Sequence, residues 1–301
     1  MADLSVILLT FNEQIHIERC LRSLLPVAQH IFVVDSFSTD QTRQIARSLG
    51  AQVLQHPWKN YADQFQWGLD HCGAATDWVM RMDADEYLEP ELQSELPVLL
   101  SSLDPEIDGV YIRRKVYFNH QWIRHGGFYP HILLRIWRNG RGRIEQRWMD
   151  EHILLPPGAR TVMAKGHLVD DNRKGITFWI DKHNKYASRE AVDLLNTRYA
   201  LLEKDELLKQ IDDPQARQKR MIKENVYARL PLGIRATLYF FYRYFLRAGF
   251  LDGGNGFLWH FMQGFWYRLL VDIKVMEIEA RSGGDVERMR EILQKDYGLA
   301  V

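Results

Sequence analysis

The run Asp83-Ala84-Asp85-Glu86 sets three carboxylates within four residues, directly after the strand-like segment 77–82 (DWVMRM). On a strand, residues i and i+2 share a face, so Asp83 and Asp85 leave the strand end side by side. Two carboxylates so placed repel unless a cation stands beside them, and hard oxygen donors select Mg²⁺ or Mn²⁺, which in turn bridge phosphate oxygens. The competing reading is a polar exit loop with solvated acids. Two further strand ends tip the balance. Thr10, Asn12 and Glu13 close the apolar run 4–10, and Asp35, Ser38 and Asp40 close the run 31–35. Open α/β sheets bind ligands at such carboxyl ends. Asp35 and Asp40 can accept hydrogen bonds from a nucleobase imide or a ribose hydroxyl, and helix N-termini after Asn12 and Asp40 offer N–H groups to anionic atoms. Singly, Asn12, Ser38 and Asp40 read as helix caps; three coincident strand ends read as one nucleotide cleft.

The elements that must position these residues alternate between short β-rich runs and amphipathic stretches, the pattern of a mostly parallel sheet with crossover helices. Strands are expected at 4–10, 31–35, 51–55, 77–82, 109–118 and 132–138. Asn12 is expected to cap a helix with Ile17, Leu21, Leu24 and Leu25 on one face. Further helices are expected from Asp40 to about Leu49, over 61–72, and from Pro90, a good first helical residue, to about Leu103. After about residue 175 the pattern turns to long helical stretches, punctuated by Pro214 and Pro231 and broken at Gly253, Gly254 and Gly256. The expected organisation is therefore an α/β domain over 1–175 and a helical region over 176–301.

Composition narrows the function. A chain of 301 residues with 46% hydrophobic and 26% charged residues can bury a proper core. Lys+Arg and Asp+Glu both number 39, so no global charge pulls the chain to nucleic acid, and no nucleic-acid motif is present. Two cysteines, Cys20 and Cys72, build no disulfide framework and suit a reducing compartment. The opening MADLSVILLTFNE lacks the charged and apolar regions of a secretory signal, so a cytosolic location is expected.

Thr10-Phe11-Asn12-Glu13, the segment 33–42 (VVDSFSTDQT) and the segment 82–86 (MDADE) together resemble the glycosyltransferase family 2 pattern, whose catalytic domain has the GT-A fold. The resemblance covers roughly residues 1–190. It implies a nucleotide-sugar donor, expected as a UDP-sugar, held by the loops after the first two strands. It implies that Asp83 approaches the ribose or sugar and shares a divalent cation with Asp85, the cation resting on the diphosphate. Where many members carry Arg or Asn upstream of the third motif, this chain has Gln64, Phe65 and Gln66. An inverting transfer needs a base for the acceptor proton. Asp150 and Glu151, in Trp148-Met149-Asp150-Glu151-His152, resemble the motif that carries it, with Glu151 preferred. His167 matches a position that lies near the metal or diphosphate in relatives, and Lys182, in Lys182-His183-Asn184-Lys185-Tyr186, resembles a phosphate-holding stretch. For His167 the competing reading is a hydrogen-bonded structural histidine, and for Lys182 a solvated helix face.

The C-terminal third carries a second signal. Of the chain's 36 aromatic residues, 13 fall between Tyr239 and Tyr267. The stretch 214–250 holds eight basic residues against Glu224, a local net charge of +7. Arg243, Arg247, Asp252 and His260 interrupt every window long enough to span a bilayer. Arg-rich aromatic helices lie in the interface instead, so a helical hairpin over about 232–275 is expected on the inner membrane face. The competing reading is a stripe packed on the core or on a second copy, which makes a homo-oligomer a further expectation. This region also resembles, more loosely, family 2 enzymes that build lipopolysaccharide core or lipid-linked surface glycans. The combined expectation is an inverting, metal-dependent transfer from a nucleotide-sugar to a lipid-linked or lipopolysaccharide-type acceptor. The alternative is a membrane-associated scaffold that keeps the fold without the chemistry.

Overall fold

The structure, a computed structural model, describes residues 3–145, 151–201 and 230–299. Asp150 and the basic segment 214–229 lie outside these. The chain divides into two compact units: Met1–Ile123 with Phe128–Arg173, and Arg124–Gly127 with Lys174–Val301.

In the first unit the elements follow as β1 (Leu4–Thr10), α1 (Ile17–Leu24), β2 (His30–Asp35), α2 (Thr42–Ser48), β3 (Gln52–Gln55), α3 (Tyr61–His71) and β4 (Trp78–Asp83). They continue as β5 (Glu86–Leu88), α4 (Pro90–Ser102), β6 (Ile107–Phe118), β7 (Gln121–Trp122), β8 (His131–Arg138), β9 (Arg143–Ile144), β10 (Ile153–Leu154) and β11 (Arg160–Asp170). The main sheet runs β3-β2-β1-β4-β8-β6-β11-β5, with β7 paired to β6, and β9 and β10 form a separate antiparallel pair. Strands β3, β2, β1 and β4 are mutually parallel, while β8 runs antiparallel to both β4 and β6. The chain steps outward from β1 to β3 and then returns to the other side of β1 as β4. The carboxyl ends of β1 and β4 therefore meet at a switch point, where an open sheet leaves a crevice.

Alternation along β1 decides the two faces of the sheet. Leu4, Val6 and Leu8 belong to one buried cluster with Ile17, Cys20, Leu21 and Leu24 of α1, and Ile7 and Leu9 belong to the other with Phe65 of α3 and Trp137 of β8. The spacing of the α1 residues is i, i+3, i+4, i+7, which is what packs a helix on a sheet. On α3, a Cβ at Gly68 would lie 2.8 Å from Val34 Cγ2, so glycine is what lets α3 approach β2 so closely.

One expected cap is not one. Helix α1 starts at Ile17 with His16 before it and no side-chain cap, five residues beyond Asn12. Asn12, at φ +54°, instead accepts a bond from Thr39 N of the neighbouring loop at 2.8 Å. Asp40 does serve its helix, accepting from Thr42 N at 2.9 Å.

The second unit is helical: α5 (Gly175–Tyr199), α6 (Ile234–Phe241), α7 (Gly253–Trp259), α8 (Tyr267–Ser282) and α9 (Val286–Tyr297). Wider π-type turns, Tyr242–Leu246 and His260–Trp266, extend α6 and join α7 to α8. The reversal runs from 247 to the first of the glycines: Ala248 takes φ +56° and Gly253 φ +65°, and Gly253, Gly254 and Gly256 open α7. A Cβ at Gly256 would meet Asp252 Cβ at 2.5 Å and Gly249 O at 2.8 Å, so Gly256 serves close packing, whereas Gly253, at φ +65°, supplies the backbone conformation of the bend. Buried charge pairs tie the helices together. Arg235 donates through Nε to Asp272 at 2.8 Å, and Glu190 accepts from Tyr267 and Arg268 at 2.6 Å each. The loop Arg124–Gly127 is fastened here too, since His125 N donates to Asp252 at 2.8 Å and Arg243 Nε to Gly126 O at 2.7 Å. No described helix is long and apolar enough to cross a membrane.

Candidate functional site

The loops after β1 and β2 form one interlocked rim. Asp35 is fully buried, and its carboxylate accepts from Thr10 Oγ1 at 2.8 Å, from Ser38 N at 2.8 Å and from Ser38 Oγ, with Arg43 3.8 Å away. Ser38 Oγ in turn accepts from Asn12 N at 2.8 Å, Thr42 Oγ1 from Glu13 N at 2.7 Å, and Asp40 from Gln14 N at 3.1 Å. Glu13 reaches His16 Nδ1 at 2.6 Å, and the other nitrogen of that ring accepts from Arg173 N at 2.8 Å. The residues expected to face a nucleotide thus largely hold the rim from within. Asp35 in particular has no exposed surface to offer a base, and its role is to fix the loop. The rim turns Phe11 and Phe37 outward.

Beside it, β4 delivers the acidic motif. Leu9 of β1 pairs with Asp83, so the two strand ends are neighbours. Asp83 accepts from Tyr61 OH at 2.5 Å and lies 3.7 Å from Arg135 Nη2. Burial works against its charge, but Arg135, Arg81 and the Tyr61 hydroxyl outweigh it and hold the carboxyl below the usual range. Glu86, buried behind it, accepts from Asp83 N at 3.0 Å and from Arg135 at 2.6 Å. Burial, with Asp83 close by, pushes the Glu86 carboxyl up, against the pull of Arg135 and Arg114. Asp85 is held differently: Asn172, just past β11, donates to its Oδ2 at 2.9 Å, and Arg19 Nη2 donates to its backbone carbonyl at 3.3 Å.

Glu151 stands just before β10, in the first unit. Arg81 Nη1 donates to its backbone carbonyl at 3.1 Å, while Arg81 Nε donates to Tyr61 OH at 2.9 Å. One guanidinium therefore joins the loop carrying Glu151, through Tyr61, to Asp83. His167 lies apart from this group. It sits on β11 opposite Arg113, with Nε2 2.8 Å from Tyr129 OH and Nδ1 3.6 Å from Glu89, and burial lowers its pKa. The β11 residues nearest the acidic motif are Asp170 and its successors, with Asp170 paired to Glu86. Lys182 belongs to α5 of the second unit, its ammonium 5.7 Å from the Tyr186 ring.

The donor chemistry suits a hard divalent cation. The Asp85 carboxyl is fixed through one oxygen, and its Oδ1 has no hydrogen-bond partner among the described residues, so a hard oxygen donor is available there. No three His, Cys, Asp or Glu side chains gather into a closed cage among the described residues.

Tyr61, Arg81, Arg135 and Asn172 are residues around the acidic motif that sequence reasoning passed over. Arg81 could have been found, since it precedes Asp83 by two on the same strand and so shares its face. Arg135, Tyr61 and Asn172 arrive through long-range pairing, which spacing alone does not encode.

The assembled features, parallel strands meeting at a switch point with an acidic motif at the β4 end, are those of an open, mostly parallel α/β fold. Residues 5–168 match the family described as Glycosyl transferase family 2, and the chain belongs to that family. It is 30% identical over 193 residues to the lipopolysaccharide core biosynthesis glycosyltransferase LpsC of Rhizobium meliloti (strain 1021), covering 62% of this chain and 70% of that one. It is 39% identical over 102 residues to an uncharacterized glycosyltransferase of Rickettsia prowazekii (strain Madrid E), covering 34% of each chain. The chain thus spans about a third of the length of that rickettsial relative. Among solved structures, the mannosyltransferase PcManGT from Pyrobaculum calidifontis, in complex with GDP-Man and Mn²⁺, aligns over 91% of this chain and 87% of its own. The identity there is 14% and the TM-score 0.50, a likeness of fold alone. The fold is of the GT-A type with a helical C-terminal region.

Proposed function

We propose that this chain is an inverting glycosyltransferase. It moves a sugar from a nucleotide-sugar donor to a lipid-linked or lipopolysaccharide-type acceptor at the cytosolic membrane face. The observation that carries the reading is the convergence at the switch point: the rim of β1 and β2, the Asp83/Asp85 pair, and the Glu151 loop tied to Asp83 through Arg81 and Tyr61. Family membership supports the reaction class, and the likeness to LpsC supports a lipopolysaccharide-type acceptor.

The acceptor hydroxyl oxygen bonds to the anomeric carbon on one face of the sugar as the bond from that carbon to the diphosphate oxygen breaks on the other. Glu151 takes the hydroxyl proton, and the nucleoside diphosphate departs with the bonding electron pair. Asp85, with Asp83 beside it, would hold a divalent cation such as Mg²⁺ or Mn²⁺, which would supply charge neutralisation for the departing diphosphate. Asp83, kept ionised by Arg135 and Arg81, is set to accept hydrogen bonds from ribose or sugar hydroxyls. Arg81 and Tyr61 position the base loop relative to this carboxylate, and a small misplacement of either group is costly in rate.

The experiment that tests the reading is isothermal titration with UDP, GDP, CDP and TDP, each with and without Mn²⁺. Metal-dependent binding selective for one nucleotide is expected, and it names the donor base. Failure of all four to bind overturns the reading.

A further inference from the structure

His16 is fully buried and stands immediately before α1, where a helix favours a side chain that caps its first turn. Its ring caps nothing. Both nitrogens are instead engaged by other elements: Nδ1 lies 2.6 Å from Glu13 Oε2, and Nε2 lies 2.8 Å from the backbone N of Arg173. A backbone N–H donates and cannot accept, so Nε2 is the acceptor and the ring hydrogen sits on Nδ1, toward Glu13. One imidazole therefore links the loop after β1 to the segment that leaves β11.

That segment is Asp171–Arg173, and it is held at both ends. At its start, Arg19 Nη2 donates to Asp171 O at 2.7 Å and to Asp85 O at 3.3 Å, and Asp171 N donates to Asp85 O at 3.1 Å. At its end, Arg173 Nε turns back to Asp171 at 2.8 Å, which closes the segment on itself, and the bond from Arg173 N to His16 ties it to the start of α1. Between the two anchors is Asn172, whose side chain donates to Asp85 Oδ2 at 2.9 Å. The orientation of a metal-binding carboxylate depends on such an outer partner, and the partner in turn depends on what holds its backbone.

We infer that His16 is a positioning residue for the cation site: by accepting from Arg173 N it holds Asn172 against Asp85. The inference rests on the reading of Asp85 as a cation ligand proposed above, and it adds to that reading a fully buried residue that acts through Asn172 and not by contact with a ligand. Glu13 fixes which nitrogen of the ring carries the hydrogen, and Glu13 N also donates to Thr42 Oγ1 in the rim. The same ring thus ties the rim to the acidic motif.

The test titrates Mn²⁺ into the full chain at a fixed concentration of whichever of UDP, GDP, CDP and TDP the wild type binds, and reads the Mn²⁺ concentration at half-saturation. Thermal unfolding without metal runs beside it. His16→Gln keeps an acceptor at the reach of Nε2 and is expected to stay within about twofold of wild type. His16→Asn keeps a polar group near the Nδ1 position but is too short to reach Arg173, and it is expected to need about tenfold more Mn²⁺. Its unfolding midpoint is expected to hold, because asparagine is a good helix cap. Asn172→Ala is expected to need about tenfold more Mn²⁺ as well, and the double change His16→Asn, Asn172→Ala no more than Asn172→Ala alone, because the two residues act through one bond. Losses that multiply in the double variant make His16 an independent structural residue and overturn the inference. So does a His16→Asn or Asn172→Ala protein with the wild-type Mn²⁺ requirement, or a His16→Gln protein as impaired as His16→Asn. A wild type without Mn²⁺-dependent nucleotide binding removes the reading of Asp85 itself, and the inference with it.

Discussion

Asp83 and Asp85 are two positions apart and differ in what holds them. Asp83 is clasped by Tyr61 and countered by Arg135, whereas Asp85 is fixed by Asn172 through a single oxygen. Removing Asp85 should therefore cost the fold little, about the 1 kcal/mol of one half-buried hydrogen bond. Asp85→Ala is expected to abolish Mn²⁺-dependent nucleotide binding while shifting the unfolding midpoint by only a few degrees. Titration beside calorimetry checks both, and undiminished metal-dependent binding would remove Asp85 as the ligand. Glu151 sits at the other end of the Arg81 link and has the opposite signature. Glu151→Gln keeps the size and the backbone carbonyl that Arg81 grips, so donor binding should persist while turnover falls by roughly 10²–10⁴. A variant that retains turnover transfers the base to Asp150.

At the scale of elements, the second unit carries a pH liability of its own. Burial holds His183, stacked on Trp179, and the fully buried His260 neutral, each with its pKa lowered to about 4. In the unfolded chain a histidine takes its proton near 6.5, so between these values the unfolded state binds more protons. Stability is then complete above about pH 6.5 and falls as the pH drops toward 4, by up to about 2 kcal/mol per ring at pH 5. Urea unfolding followed by tryptophan fluorescence at pH 7 and pH 5 checks it; a flat profile contradicts it, and His260→Gln should reduce the slope. Sequence reading reached the elements that carry a period. The apolar runs gave β1 to β4 within a residue or two, and the i, i+3, i+4 spacing gave the buried face of α1. It missed β5, β7 and β9 because two or three residues hold no measurable alternation. It read Asn12 as a cap because a polar residue before an apolar face has that meaning locally, whereas its partner, Thr39, comes from the next loop. The glycines at 253, 254 and 256 read as a break, and Gly253 does turn the chain there, whereas Gly256 serves packing, which local sequence does not reveal.

At the scale of the whole molecule, the apolar surface of the second unit is the feature that the sugar chemistry leaves unused. Leu246 is 79% and Leu251 60% exposed, and Leu238, Phe241, Phe245 and Phe250 on the same stretch are exposed as well. Scattered apolar residues on a surface need no explanation, but a contiguous run of this kind is unusual for a chain that meets only water. The exposed Arg247 lies among them, and aromatic rings with arginine suit the headgroup level of an anionic bilayer. Such a surface is expected to make an interfacial contact. The full chain is expected to co-sediment with vesicles containing anionic lipid, and more weakly with purely zwitterionic ones. Each apolar side chain buried in the interface contributes on the order of 1–3 kcal/mol, so the double change Leu246→Glu, Leu251→Glu should reduce vesicle binding at least tenfold. Nucleotide titration should be unchanged in that variant, because both positions lie in the helical unit and the rim and acidic motif lie in the other. Should the wild type fail to sediment with vesicles yet run as a dimer that the double change splits, the apolar surface is a contact between two copies of the chain.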